Sequence, residues 1–317
     1  MSDLVLERVP DAVLARELAL SPHATAFNQP STLAALAERV EWWGVRRGPH
    51  WLLLWPQCRD ADGAQVDPVF AYYLGPLYTA GLLADSPSGQ LRALGPAWTL
   101  ALRTLLERDR MLSAALPLGM DDVRPLVWAA AELGLDLDLK PRYTAVLDDL
   151  QAGLPTLAAG FSRSRERAIR TGEGLSLIRG PVSAEEVLRL YAQPFQRQGQ
   201  SLDPARLEQL GRMVALASGP EGITLGYHRR GETSLVGAAV LLGHRDTVNN
   251  VLCIADTSLR DHGATAWITR EAIRAAIERG ARVFDFNGAN TPDRALDKAL
   301  YGTRTRLYFR FELRRSG

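Results

Sequence analysis

Residues 263–288, GATAWITREAIRAAIERGARVFDFNG, join a long helical pattern to a short apolar strand. Apolar side chains recur at spacings of three and four over 263–279, which predicts a helix that Gly280 ends. The run 283–286 then predicts a buried strand, which the Asn-Gly pair after it stops. This half of the chain therefore combines helices with buried strands, and we expect an α/β domain.

The segments on either side extend this pattern. Before it lie two predicted helices, 184–198 and 204–217, and three predicted strands, 223–228, 235–242 and 248–254. The turns between the strands are short and polar, so the strands are expected to form an antiparallel meander. After it lie a predicted helix, 293–300, and a half-buried final strand, 307–313. The predicted order in the second half is ααβββαβαβ.

The first half is also mixed α/β. Helices are predicted near 33–40, 100–110 and 123–133, the last ended by Gly134, and strands at 51–55, 69–74 and 111–116. Two further predicted strands, 135–139 and 143–147, lead into the second half. We expect a domain boundary near Pro141, which gives two domains of ordinary size, residues 1–141 and 142–317.

Composition excludes several classes of protein. The chain has 317 residues and a net charge of +1, so it lacks the positive field of a DNA-binding protein. No apolar run approaches the roughly 20 residues that span a bilayer. Residues 1–10 lack the pattern of a secretory signal, so a cytoplasmic protein is expected. Cys58 and Cys253 lie in apolar runs, which predicts buried reduced thiols, and no Cys/His/Asp spacing suggests a metal site.

Several short motifs resemble a known superfamily. They are Tyr73-Leu74-Gly75-Pro76, the basic run from Phe161 to Arg170, Phe284-Asp285-Phe286-Asn287-Gly288, Pro292, Asp297-Lys298-Ala299-Leu300-Tyr301-Gly302 and Tyr308-Phe309. Together with the element order, they resemble the Fem-type peptidyltransferases and their relatives, the tandem-GNAT acyltransferases. The resemblance implies two GNAT-like domains in tandem, each a mixed, mainly antiparallel sheet flanked by helices. The chain departs from the family at Asp297, where an aromatic residue is common, and it lacks the coiled-coil arm of some members.

Lys298 is the candidate catalytic residue. When an amine attacks an activated ester or thioester, negative charge grows on the carbonyl oxygen, and a fixed cation stabilises it. The alternative is a solvated cation paired with Asp293 or Asp297. Only Lys140 and Lys298 are lysines among the 37 basic residues, so the position of Lys298 within the motif is notable.

The residues around Lys298 are expected to shape the site. Asp285 ends a predicted strand, where an aspartate commonly caps the next turn, and this structural role is favoured. The other site-shaping candidates are Asn287, Gly288, Asn290, Tyr301 and Tyr73.

Two groups of residues are candidates for binding phosphate. Arg163, Arg167 and Arg170 fall on one side of a predicted basic helix, where they form an arginine ridge. A solvated helix face explains them equally well. Arg260, Gly263 and Ala264 open the long helix and partly match the GNAT pyrophosphate loop. Thr265 departs from that loop.

The leading hypothesis is an enzyme that moves an acyl or aminoacyl group onto an amine without a covalent intermediate. The resemblance implies acyl-CoA or aminoacyl-tRNA as co-substrate, with no tightly bound cofactor. The acceptor would be an amine on a small molecule or a cell-wall precursor, and tRNA is a further implied partner. The alternative is a non-catalytic GNAT-like module that binds a ligand or a partner.

Overall fold

The computed structural model describes residues 4–315, which form two units. Unit 1 extends to Arg142 and includes the chain again from Leu307, and unit 2 is Tyr143–Arg306. The first boundary falls beside Pro141. The carboxyl-terminal segment differs from the expected division, because its strand pairs with a strand of unit 1.

Unit 1 begins with a strand and a helix that the sequence analysis did not predict. Its elements, in chain order, are β1 (Leu4–Arg8), α1 (Asp11–Leu20), α2 (Pro30–Leu36), β2 (Arg39–Arg47), β3 (His50–Arg59), β4 (Leu77–Tyr78), α3 (Ala80–Leu83), α4 (Pro87–Arg108), β5 (Met111–Ala115) and α5 (Arg124–Glu132). The chain then passes into unit 2 within β6 (Leu135–Leu147).

Unit 2 follows the predicted order closely. Its elements are α6 (Leu154–Ala158), α7 (Arg163–Glu173), β7 (Ile178–Gly180), α8 (Ala184–Arg197), α9 (Pro204–Ala217), β8 (Gly222–His228), β9 (Leu235–His244), β10 (Thr247–Ala255), α10 (Ala264–Glu278), β11 (Val283–Asp285) and α11 (Pro292–Ala299). The chain returns to unit 1 within β12 (Arg304–Arg315).

The core of unit 1 is aromatic. Strands β1 to β4 form an antiparallel sheet, and β5 pairs with β12. Trp98 on α4 packs edge-on against Trp55 on β3, with ring centroids 5.7 Å apart, and Trp55 contacts Phe311 of β12 at the same distance. Since all three rings are at most 2% exposed, this cluster supplies much of the hydrophobic stabilisation of unit 1.

The sheet of unit 2 places its strands in the order β6-β11-β10-β9-β8-β7. The pairs are antiparallel, as the predicted meander requires, except for β10 with β11, which is parallel. Helix α10 packs on this sheet through a fully buried face that includes Ile268, Ala272 and Ala276. The expected α/β architecture, with mixed, mainly antiparallel sheets and flanking helices, is confirmed.

Some local predictions are wrong. The expected strand at 69–74 is irregular, because Tyr73 adopts a left-handed φ of 55° and packs into an aromatic cluster with Phe27 and Tyr308. The expected helix at 33–40 ends at Leu36, and the one at 100–110 is the second half of α4. None of the helices between residues 4 and 315 has both the length and the apolar character needed to cross a membrane.

Candidate active site

The parallel strands β10 and β11 separate after a short paired segment. They pair at three positions, and the last of these joins Asn249 to Asp285. Beyond it, the chain after β11 continues along β6, where Phe286 N–H donates to the Ala145 carbonyl at 2.9 Å. Strand β10 instead continues beside β9 as far as Ala255. A cleft, here called the β10/β11 cleft, therefore opens at the carboxyl ends of two parallel strands, the place where α/β sheets commonly bind ligands.

Strand β10 is irregular where the cleft begins. A β-bulge interrupts its pairing with β9 between Asn250 and Leu252, and residues 251–255 are half-buried. Bulges re-aim the side chains of a strand and are common beside active sites. The ladder to β11 ends at Asn249 within the described residues, so the next part of β10 presents backbone groups to the cleft.

Two asparagines meet where the strands part. The Asn287 side chain donates from Nδ2 to the Asn250 carbonyl at 2.9 Å, which replaces a backbone ladder bond. The side-chain oxygens of Asn250 and Asn287 are buried and lack a hydrogen-bond partner within the described chain. Since buried polar atoms are nearly always paired, these two acceptors favour a bound group that carries N–H or O–H donors.

The carboxylate of Asp285 organises the turn after β11. It is 1% exposed and accepts hydrogen bonds from Thr144 Oγ1 at 2.5 Å and from Asn287 N–H at 2.8 Å. This is the capping role that the sequence favoured. The hydrogen bond from Asn287 N–H to the Asp285 carboxylate supports a left-handed φ of 52° at Asn287. Asparagine tolerates this conformation better than most residues. Asn290 accepts from Tyr143 N–H at 2.7 Å and fixes the far end of the same loop.

Lys298, on the last turn of α11, reaches back to this loop. Its ammonium donates to the carbonyls of Phe286 at 3.0 Å and Gly288 at 2.7 Å, and also to that of Asn287. Burial lowers the pKa of Lys298 to about 8, opposed by the nearby Asp285 carboxylate. An ammonium has three donors, and all three are engaged. The role of Lys298 at a developing oxyanion stays a prediction.

Asp297 pairs with a buried arginine of α7. Arg165 is only 8% exposed and donates to the Asp297 carboxylate and, at 3.0 Å, to its backbone carbonyl. The guanidinium also lies 4.3 Å from the centre of the Tyr301 ring. A buried guanidinium on this apolar side needs an acidic partner, and Asp297 supplies it.

Comparison with protein families assigns this region. Residues 159–294 match the family described as "Acetyltransferase (GNAT) domain". The matched segment lies within unit 2 and is called the GNAT domain below. No curated protein sequence matches the chain.

Solved structures extend the assignment to the fold of the whole chain. FemX superposes with a TM-score of 0.65 at 10% identity, covering 96% of each chain. A conserved protein of unknown function from Bacteroides thetaiotaomicron gives 0.58 at 13% identity, covering 99% of this chain and 100% of that one. A tandem GNAT protein from the clavulanic acid biosynthesis pathway gives 0.50 at 16%, covering 98% of each. The expected Fem-like, tandem-GNAT fold is confirmed, and the match to an acetyltransferase domain supports acyl transfer in general.

The arginine ridge lies on the surface of the GNAT domain. Arg163, Arg167 and Arg170 are exposed on α7, and none makes an ion pair within residues 4–315. Arg260 is also exposed, in the short 3₁₀-helix (Thr257–His262) that precedes α10. These four guanidinium groups are available to solvent anions. Their role in phosphate binding stays a prediction.

Gly263 and Ala264, the other phosphate candidates, pack against α7. Gly263 has a φ of 74°, and a Cβ there would lie 2.0 Å from the Ala168 carbonyl oxygen. Ala264 is fully buried. The close approach of two helices therefore requires the glycine, whether or not the start of α10 also receives a phosphate.

The two tyrosine candidates lie in different units. Tyr301, in unit 2, is 1% exposed and donates from its hydroxyl to the Ala266 carbonyl at 3.3 Å. Tyr73 belongs to the aromatic core of unit 1, with its ring 4.9 Å from that of Tyr308. Both are buried supports rather than exposed site groups.

Sequence analysis missed Asn250 and the pairing of Arg165 with Asp297. Asn250 lies in an apolar run that predicts a strand. The β-bulge beside it interrupts the regular alternation of side chains between the two faces of the sheet. One signal was present, since a polar Asn-Asn pair in a buried strand is unusual. Between residues 4 and 315, no group of three or more acidic, His or Cys side chains is arranged to hold a metal ion.

Proposed function

We propose that the GNAT domain transfers an acyl group from an activated donor directly to an amine, with the reacting groups in the β10/β11 cleft. The observation that carries the proposal is the pair of buried, unpartnered side-chain oxygens on Asn250 and Asn287, where the strands part. An amine brings N–H donors, which is what these oxygens lack. Two acceptors that hold its hydrogens would turn its lone pair toward a donor carbonyl in the cleft.

The reaction is a direct displacement at the donor carbonyl carbon. The amine nitrogen forms the new C–N bond while the C–S bond of a thioester, or the C–O bond of an ester, breaks. The proton lost by the amine passes to the leaving thiol or hydroxyl, so one amide and one free thiol or alcohol result. The oxygens of Asn250 and Asn287 orient the amine for attack.

No cysteine of the chain suits a covalent route. Burial raises the pKa of the Cys253 thiol to about 12, and it raises the pKa of the Cys58 thiol to a similar value. A nucleophilic cysteine needs a thiolate at working pH. Transfer therefore proceeds through a complex that holds both substrates.

Lys298 acts on this reaction as a positioning residue. Its three hydrogen bonds hold the carbonyls of Phe286, Asn287 and Gly288, which keeps the Asn287 side chain directed at Asn250. A direct contact with the oxyanion requires the ammonium to release one of these carbonyls when the donor binds. In both cases its positive charge lies beside the cleft.

The donor is a phosphate-bearing acyl compound, either acyl-CoA or aminoacyl-tRNA. Both carry phosphates that suit the exposed guanidinium groups of the arginine ridge and Arg260. FemX is a structural relative of the chain, and the clavulanic acid relative was described without acetyl-CoA. The acceptor is an amine on a small molecule or on a cell-wall precursor, and a cytoplasmic location stays a prediction.

One observation favours the alternative of a ligand-binding module without turnover. All three donors of Lys298 are engaged, so no free cation of the motif faces a carbonyl. A module of this kind would bind a donor and release it unchanged.

The first experiment tests turnover. Full-length protein is incubated with acetyl-CoA or aminoacyl-tRNA and a panel of primary amines, and products are identified by mass spectrometry. Asn250→Ala should lower kcat about 100-fold, because the amine is no longer oriented, and should leave the donor Kd unchanged. Gln151→Ala, an exposed site on the same unit, is the matched control. Stabilisation by a donor without any product would favour the binding module.

The second experiment tests the donor. A donor at 100 times its Kd should raise the unfolding free energy by about 2.7 kcal/mol, which a melting curve detects. Replacing Arg163, Arg167 and Arg170 together by Gln should weaken donor binding at least tenfold, whereas Arg92→Gln, an exposed arginine on α4, should not. Binding of only one donor identifies its class, and equal binding by the triple variant removes the ridge from the proposal.

A further inference from the structure

Unit 1 contains a cavity of about 150 Å³ beside the carboxyl end of β4. Its apolar lining consists of Leu83, Pro87, Leu91, Leu94, Gly119 and Met120. Its polar lining consists of His23, Tyr78, Gln90, Asp121, Asp122 and Arg124. An engineered protein cavity of this volume takes up benzene, so the space suits a ligand of about six non-hydrogen atoms.

His23 brings an unsatisfied acceptor to this cavity. The side chain is 6% exposed, and its Nδ1 atom has no hydrogen-bond partner in the described chain. The backbone of Gly119 and the Asp121 carboxylate favour the charged imidazole, but burial outweighs them and lowers its pKa to about 4. It is therefore neutral at pH 7, and a neutral imidazole with one nitrogen donating offers a lone pair on the other. A buried lone pair without a donor indicates a missing partner.

The charges around the cavity favour a cation. Asp122 and Arg124 form an ion pair at 2.7 Å, so their charges offset each other. Asp121 is exposed and makes no ion pair within residues 4–315. Its carboxylate lies close enough to His23 to act against burial and raise the pKa of the imidazole. The remaining lining carries no free cation, which leaves one net negative charge.

Two polar groups of the lining already take part in hydrogen bonds. The Gln90 amide nitrogen donates to the carbonyls of Leu83 at 3.2 Å and Asp85 at 2.8 Å. The Tyr78 hydroxyl accepts from Trp98 Nε1 at 3.2 Å, and its own O–H remains a donor. The acceptors that the cavity offers a ligand are Nδ1 of His23 and the Asp121 carboxylate.

We propose that this cavity binds a small organic ammonium ion. Its N–H groups would donate to Nδ1 of His23 and to the Asp121 carboxylate, while a chain of about four to five carbon atoms lies against Leu91 and Met120. The inference is independent of acyl transfer, because it concerns unit 1 alone and binding alone.

The test uses full-length protein without any acyl donor. Binding of n-butylammonium, butanol and butyrate is compared by calorimetry, since the three probes have similar size and differ in charge. Butylammonium should bind at least tenfold more tightly than either of the others. Asp121→Asn should weaken its binding about tenfold, because a charge-assisted hydrogen bond is lost.

A control variant and an NMR measurement distinguish binding at this cavity from nonspecific binding. Asp62→Asn, at another exposed aspartate of unit 1, should leave butylammonium binding unchanged. In the wild-type protein, the ¹⁵N resonance of His23 Nδ1 should move upfield as the ligand saturates, since the nitrogen gains a hydrogen bond. Equal binding of the three probes, or a fixed His23 resonance at saturation, would overturn the proposal.

Discussion

The β10/β11 cleft of unit 2 and the cavity beside β4 of unit 1 occupy corresponding places in the order of elements. In unit 1, β4 is followed by the short helix α3 and then by α4, β5 and α5, and in unit 2, β10 is followed by α10, β11 and α11. In unit 2 the strands separate, and two asparagine oxygens are left without donors. In unit 1 a tryptophan-rich core fills most of the corresponding region and leaves a small cavity. A similar order of strands and helices thus accompanies a packed core in unit 1 and diverging strands in unit 2.

The largest expected effect is on the stability of unit 1, which has the packed aromatic core. Trp98→Ala should lower the unfolding free energy by about 3–5 kcal/mol, because it empties the centre of the aromatic cluster with Trp55 and Phe311. Chemical denaturation measures the change. A loss below about 1 kcal/mol would mean that the cluster does not dominate the stability of unit 1.

The next effect tests the close helix packing of unit 2. Gly263→Ala should cost about 3 kcal/mol, because the added Cβ would overlap the Ala168 carbonyl and strain a left-handed backbone. Gly280→Ala is the matched control, since its φ is 84° but no atom lies within 4 Å of the added Cβ. The control should cost only about 1 kcal/mol. Equal losses in the two variants would show that backbone strain, rather than contact with α7, fixes the glycine.

The third prediction concerns the Lys298 ammonium, which has no counterpart in unit 1. Lys298→Met should lower transfer about 100-fold at pH 7, a loss typical of removing one preorganised charged or polar donor, and should leave donor binding intact. Lys298→Arg should recover part of the rate. Unchanged transfer by Lys298→Met would remove the loop contact from the mechanism.

The pH dependence of Lys298 has opposite signs in stability and in activity. Burial lowers the pKa of the folded protein to about 8, below the unfolded value of 10.5, so the folded state releases its proton first. The contribution of this group to stability should therefore rise as pH increases from about 8 to 10.5. The rate of acyl transfer should fall as the pH rises above about 8, because the deprotonated Lys298 amine has one hydrogen fewer to donate to the carbonyls of the loop. Lys298→Met should remove both trends, which are measured as differences from the wild type.

The smallest expected effect tests the contact between α7 and α11. Asp297→Asn removes the charge partner of Arg165 and should cost about 1 kcal/mol, since the Asp297 side chain is 62% exposed and well hydrated. Asp293→Asn, exposed on the same helix and without an ion pair in the described residues, should change stability by less than about 0.5 kcal/mol. Equal changes would mean that the pair contributes nothing measurable.

Local patterns predicted most of unit 2, because its strands are apolar runs with short polar turns and its helices carry clear caps. The failures were in unit 1 and had a tertiary cause. Residues 69–74 look like a strand, but aromatic packing around Tyr73 outweighs that propensity. The candidate site was found only in part. Asp285, Asn287 and Lys298 were identified from the motif, whereas the unsatisfied oxygens depend on a bulge and on a separation of strands that no local pattern encodes.

The return of the chain to unit 1 in its final strand has a consequence for synthesis. Phe311 and Leu313, which complete the core of unit 1, are synthesised after the whole of unit 2. Unit 2 is encoded as an uninterrupted segment in between, so it can fold while unit 1 still lacks its closing strand. During that interval the tryptophans of unit 1 are incompletely covered, which makes this the stage at which a nascent chain most needs protection from aggregation.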